Sequence, residues 1–99
     1  MNDTEFVKLA ETTIAKIYNM IEEQDIECAI DLDFQSDILN LITKDGVFVI
    51  NKHTAAQEIW LSSPLSGPHH FYYKDGNWIS KSAINLMSIL QKELNIQFL

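Results

Sequence analysis

Arginine is missing from this chain: all seven basic residues are lysines, set against fourteen aspartates and glutamates for a net charge of −7. Without the planar guanidinium fork that grips phosphate and stacks on bases, and with a pI near 4.7, the chain repels nucleic acid, and that class of partner is excluded. Cysteine occurs once, as Cys28, so no internal disulfide can close, and a reducing compartment is the simplest setting. No apolar run approaches the roughly 20 residues a membrane helix needs, and no basic or arginine-rich leader precedes the first helical pattern. The expectation is a complete cytoplasmic protein with no membrane partner, or one whose leader has already been removed. Catalytic signatures are missing too. There is no Gly-x-Ser-x-Gly elbow, His-Glu-x-x-His pair, Cys-x-x-Cys, phosphate-binding loop or dinucleotide glycine pattern, so an enzyme of the usual kind is not expected.

What the chain does have is periodicity. Ninety-nine residues, 46% of them hydrophobic, suit one domain over 1–99 with a single core. Phe6, Leu9, Ala10, Thr13, Ile14, Ile17 and Ile21 recur at helical spacing and predict a helix from about Thr4 to Glu23, with Asn2 and Glu5 as a capping box. After Gln24 the period becomes two. Ile26, Cys28, Ile30, Leu32 and Phe34 are expected to face the core, and Glu27, Ala29, Asp31 and Asp33 to face solvent. Ile38 to Thr43 and Val47 to Lys52 read as strands joined at Lys44-Asp45-Gly46, where Asp-Gly supplies the positive φ angles of a hairpin. Glu58 to Ser62 reads as a short strand ending at Pro64, and Lys74-Asp75-Gly76 closes a second hairpin between Phe71-Tyr72-Tyr73 and Trp78-Ile79. A last helix, capped by Ser80 or Ser82, runs to about Leu94, and the tail Asn95-Ile96-Gln97-Phe98-Leu99 is apolar enough to pack. Two helices and five or six antiparallel strands bury their apolar faces only as an α/β two-layer sandwich, with both helices on one sheet face and the other face in water.

Charge is distributed unevenly. Nine of the fourteen acids lie between Asp3 and Asp33 with only Lys8 and Lys16 among them, while beyond Asp33 five acids face five lysines. Glu22 and Glu23 sit where the helix macrodipole is negative, and each carboxylate there costs about 0.3–1 kcal/mol. Asp31 and Asp33, about 7 Å apart on one strand face, repel by roughly 0.6 kcal/mol in water. An acidic run is usually a solvated face tuned for solubility; what argues for function is that stability would favour these acids at the other end of the helix. Carboxylates without histidine or thiolate neighbours are hard oxygen donors, suited to Fe²⁺, Fe³⁺, Mn²⁺, Mg²⁺ or Ca²⁺. Spread along a convex ridge, they would bind weakly, with many waters left on the metal. The same ridge could dock on a basic protein surface.

Trp60 is predicted to point with Glu58 and Ser62 to the uncovered sheet face, either as an exposed interface anchor or as a tryptophan half covered by its loop. Trp78 is assigned to packing, His53, His69 and His70 to the surface, and Cys28 to inert core.

The run Glu58-Ile59-Trp60-Leu61-Ser62-Ser63-Pro64-Leu65-Ser66-Gly67-Pro68, the following Asn77-Trp78 and the start Met1-Asn2-Asp3-Thr4-Glu5-Phe6 resemble the frataxin family, and its bacterial branch in particular. The resemblance runs nearly end to end. It implies an iron-binding protein of iron-sulfur cluster assembly that contacts the cysteine desulfurase and the cluster scaffold, as an iron-dependent regulator or iron chaperone. A proposed ferroxidase activity comes with the family, as does a monomer that can oligomerise with iron. By position the family's iron ridge falls on Glu22, Glu23, Asp25, Glu27 and Asp31, with Asp3 and Glu11 as weaker members, and Asp33 joins them on the charge argument. The family's exposed sheet residues correspond to Asn51 and Trp60, and Glu22 and Glu23 would also meet partners. Alternatives left open are a ferroxidase or iron store and a metal-independent acidic interaction module.

Overall fold

Helix α1 (Asp3–Gln24) buries Phe6, Ala10, Ile14, Ile17 and Ile21 along one stripe, so the 3.6-residue period of the sequence becomes its packing face. The computed structural model describes residues 1–96. Asn2 caps the helix in both directions: its side-chain oxygen accepts from the Glu5 backbone N–H at 2.8 Å, and its amide donates to the Glu5 carboxylate at 2.9 Å.

Six strands follow, β1 (Asp31–Gln35), β2 (Ile38–Thr43), β3 (Gly46–His53), β4 (Glu58–Ser63), β5 (Gly67–Lys74) and β6 (Asn77–Ile79), before helix α2 (Leu86–Leu94). Each strand is antiparallel to the next, in sequential order across the sheet. Period-two alternation sends Leu39, Leu41, Phe48, Ile50, Ile59 and Leu61 under the helices, where they join the α1 stripe and Leu86 and Leu90 of α2 in one core. The opposite face is uncovered, and Ile38, Ile42, Val47 and Tyr72 remain exposed on it. Trp78 pins the two layers. Its indole N–H donates to the Thr13 hydroxyl at 3.0 Å, and its ring meets Phe6 and Tyr73 edge-on.

Three sequence expectations fail at element boundaries. The alternation from Ile26 to Ile30 is not a strand: β1 begins only at Asp31, Ile26 is 88% exposed, and Cys28 is exposed with φ +53°. Cys28 is therefore not a core residue. The reason lies in the partner strand, since Asp31 pairs with Ile42 and one residue further β2 gives way to the Lys44-Asp45 turn, leaving residues 26–29 nothing to pair with. Second, α2 is capped by Asn85, whose side chain accepts from Ser88 N–H at 3.1 Å, and not by Ser80 or Ser82. Ser80 instead closes a turn, its hydroxyl accepting from Ser82 and Ile84. Third, β5 reaches back to Gly67, well before Phe71. Of the tail, Ile96 packs on the core, and residues 97–99 lie outside the described residues.

The hairpin turns differ in chemistry. Asp75 and Gly76 both take positive φ, as a two-residue loop of the mirror-image type requires. Ser36 and Asp37 do the same between β1 and β2 without any glycine. At Lys44-Asp45-Gly46 only Gly46 does so, at φ +127°, and a Cβ placed there would lie 2.7 Å from that of Pro64 in the β4–β5 loop. Gly46→Ala therefore combines a strained backbone with a clash between two turns. It is expected to lower unfolding free energy by about 1–3 kcal/mol in a denaturant titration, and a wild-type midpoint would contradict the assignment.

Candidate functional site

The segment between α1 and β1 is fixed by one carboxylate. Asp25 accepts from Ala29 N–H at 2.9 Å through one oxygen and from Ile30 N–H at 2.8 Å through the other, while its own N–H reaches the Ile21 carbonyl and its carbonyl takes the Cys28 N–H. Helix end and strand start are thus clamped together. Asp25 was a ridge candidate, and its lone pairs are largely committed to the backbone.

The other candidates divide in the same way. Glu11 and Asp37 both pair with Lys52, at 3.1 and 3.2 Å, and the Lys52 side chain is only 14% exposed. Burial works to lower the Lys52 pKa, and the two carboxylates more than offset it, so the net displacement is upward from 10.5. Asp3 accepts from the Gln57 amide at 3.1 Å, an arrangement that also ties the N-terminus to the β3–β4 loop through the Met1 carbonyl. Glu22 holds the Tyr18 phenol, whose pKa is raised by that hydrogen bond and by the neighbouring negative charge. Glu23, Glu27, Asp31 and Asp33 receive no hydrogen bond or ion pair from the described residues, and all but the half-buried Asp33 are exposed. Among the described residues no three His, Cys, Asp or Glu side chains converge as a metal cage would need. The free carboxylates form a dispersed anionic edge running from the last turn of α1 through the Asp25 turn to β1. α1 has no basic residue in its last turn to offset it.

The open sheet face carries the second feature. Trp60 is half-buried there, and its indole N–H donates to Glu58 at 2.9 Å. Its two ring faces are covered: His53 and His70 stack on it from either side, each with ring centroids 4.1 Å away and planes within 10°. Asn51 is the direct cross-strand neighbour of Trp60. Trp60 thus presents its edge, and the histidines assigned to plain surface are its supports. His69 lies apart, bonded to Ser66 at 2.8 Å. Sequence reasoning missed this stack because His53 reaches Trp60 only through the β3–β4 register, where diagonal neighbours are set by a loop whose length and shape carry no residue signature.

A family model described as a frataxin-like domain matches residues 1–99. The chain belongs to the frataxin-like family. It resembles the iron-sulfur cluster assembly protein CyaY of Vibrio cholerae serotype O1, with 36% identity over 95 residues, covering 94% of this chain and 88% of that protein. Its fold matches frataxin from Psychromonas ingrahamii with a TM-score of 0.83 at 30% identity, over 95% of this chain and 89% of that one. Trimeric frataxin from Saccharomyces cerevisiae, complexed with ferrous iron, matches at 0.71 and 29% identity, over 92% and 82%. The two helices on a six-stranded open sheet are therefore a frataxin architecture, with the dispersed anionic edge at one end of it.

The carboxylates of this frataxin domain separate by experiment. Asp25→Ala removes the acceptor for two backbone N–H groups and is expected to lose about 1–3 kcal/mol of stability, whereas Glu23→Gln and Glu27→Gln stay within about 0.5 kcal/mol or gain. Equal losses at all three positions in thermal unfolding would contradict this division.

Proposed function

We propose that the chain is an iron-binding regulator of iron-sulfur cluster assembly, in which iron is cargo gathered on the anionic edge. The observation that carries the reading is the run of exposed carboxylates at Glu22, Glu23, Glu27 and Asp31, with no cationic partner among the described residues and no basic residue in the last turn of α1, whereas Glu11 and Asp37 share Lys52. Hard oxygen donors that do not converge favour a hydrated ion held by one or two carboxylates at a time, so binding is weak, exchangeable and released on demand. Supporting this are the cluster-assembly name of the Vibrio relative and the ferrous complex of the yeast frataxin.

The same edge fits a basic surface of the cysteine desulfurase, where opposite charge speeds encounter and selects the partner. Iron and desulfurase then share one set of carboxylates, and occupancy by one alters the other, which is how iron would regulate sulfur transfer. The scaffold protein is assigned to the open face around Trp60 and Asn51, where an ordered tryptophan edge and exposed apolar neighbours form an anchor of the kind that dominates interface energies. Capture and release is proposed as the role of the anionic edge, with no oxidation of iron assigned to it.

The test changes Glu22, Glu23 and Glu27 to Gln and Asp31 to Asn together, and leaves Asp25 in place because it holds the turn. In nuclear magnetic resonance with Fe²⁺, amides from Glu22 to Asp31 should broaden first in the wild type and not in the variant. In cluster assembly with purified desulfurase and scaffold, the variant should lose its iron-dependent effect on rate. Broadening centred on His69 and His70, or a variant that responds to iron as wild type does, would overturn the reading.

A further inference from the structure

The two tryptophans of the chain give their indole protons to different groups. Trp78, 5% exposed, donates to the Thr13 hydroxyl at 3.0 Å, and Trp60 donates to the Glu58 carboxylate at 2.9 Å. The difference matters for one-electron chemistry. When an indole loses an electron its N–H becomes about as acidic as a carboxylic acid; a carboxylate already at hydrogen-bond distance can accept the proton, and an aliphatic hydroxyl, far less basic, does not. Trp60 has further provision. The imidazoles of His53 and His70 cover both faces of the ring at 4.1 Å and are nearly parallel to it, so electron-rich π systems adjoin the oxidised ring on each side and water is kept from its faces. Its edge remains open on the uncovered sheet face.

We propose that Trp60 is a redox-active tryptophan that donates an electron to oxyl radicals and its Nε1 proton to Glu58, making this face the oxidation site of the domain. The oxidant is a one-electron acceptor of the carbonate-radical class, such as arises where ferrous iron meets peroxide in bicarbonate. It gains one electron and becomes the carbonate anion. The Trp60 Nε1–H bond breaks, the proton moves to a Glu58 carboxylate oxygen, and a neutral indolyl radical is left beside a neutral carboxylic acid. No carbon bond changes, and the step reverses when a reductant returns the electron. The inference goes beyond the iron reading and does not require iron to bind the anionic edge.

Pulse radiolysis of the full chain, with azide radical as the one-electron probe, reads the step directly. In wild type the absorption of the neutral indolyl radical should appear promptly, and Trp60→Phe should lose most of it. Glu58→Gln keeps an oxygen acceptor and the exposure of the ring but is not a base, so the indolyl cation should be seen first and the neutral radical should form several-fold more slowly. His53→Leu with His70→Leu should shorten the life of the radical several-fold with the fold intact by circular dichroism. If Trp60→Phe keeps the signal, or Glu58→Gln gives the neutral radical as fast as wild type, the proposal is wrong.

Discussion

Burial of the α1 stripe against the inner face of the sheet is the constraint from which the rest follows. Phe6, Ala10, Ile14, Ile17 and Ile21 are 0–2% exposed, and burying an Ile or Phe side chain contributes about 1.5–3 kcal/mol. With that stripe fixed, the remaining helix positions have no choice of environment. Glu22 and Glu23 fall in the last turn, on the solvent side, at the negative end of the dipole. The chain then has to leave the helix and enter β1 within a few residues, which the Asp25 carboxylate makes possible by holding two backbone N–H groups. Glu27 and Asp31 are carried to the surface by the same turn.

Charge compensation separates the acids that serve the fold from those that do not. Glu11 and Asp37 bracket Lys52, Asp3 receives Gln57, and Asp25 receives the backbone, so each of these contributes to the free protein. Glu23, Glu27 and Asp31 have no such partner among the described residues, and Glu22 has only the Tyr18 phenol. Their mutual repulsion opposes folding, and under the proposed function a cation or a basic partner relieves it. The proposed function thereby links a destabilising local feature to binding, the pattern expected where a protein accepts a cost in stability for a site.

Much of this was readable from residue order. α1, the Asp75-Gly76 hairpin and the outward aim of Trp60 depend on local periodicity and turn chemistry, which the sequence displays; the hairpin at Lys44-Asp45-Gly46 forms where expected but with positive φ at Gly46 alone. What failed depended on distant partners. The apolar alternation through Ile26, Cys28 and Ile30 looks like a strand in isolation, and only the position of the Lys44-Asp45 turn, which ends β2, denies it a neighbour. The Ser36-Asp37 loop takes positive φ at both residues with no glycine to announce it. Asn85 won the cap of α2 over Ser80 and Ser82 because Ser80 was already engaged in its own turn. The ring stack on Trp60 needed the register of three strands. The ridge acids were legible as a charge excess, but which of them are committed to the fold was visible only with Lys52, Gln57 and the Asp25 turn in place.

Under the proposed function, the free carboxylates of the α1–β1 edge destabilise the unliganded fold and iron relieves them. Thermal unfolding under anaerobic conditions tests it, comparing wild type with the combined Glu22→Gln, Glu23→Gln, Glu27→Gln and Asp31→Asn variant, each without metal, with Fe²⁺, and with sodium chloride at matched ionic strength. The metal-free variant should melt about 4–8 °C above wild type, with Fe²⁺ raising the wild type beyond the salt control and leaving the variant unmoved. A variant that melts below wild type, or one that Fe²⁺ stabilises equally, would contradict it.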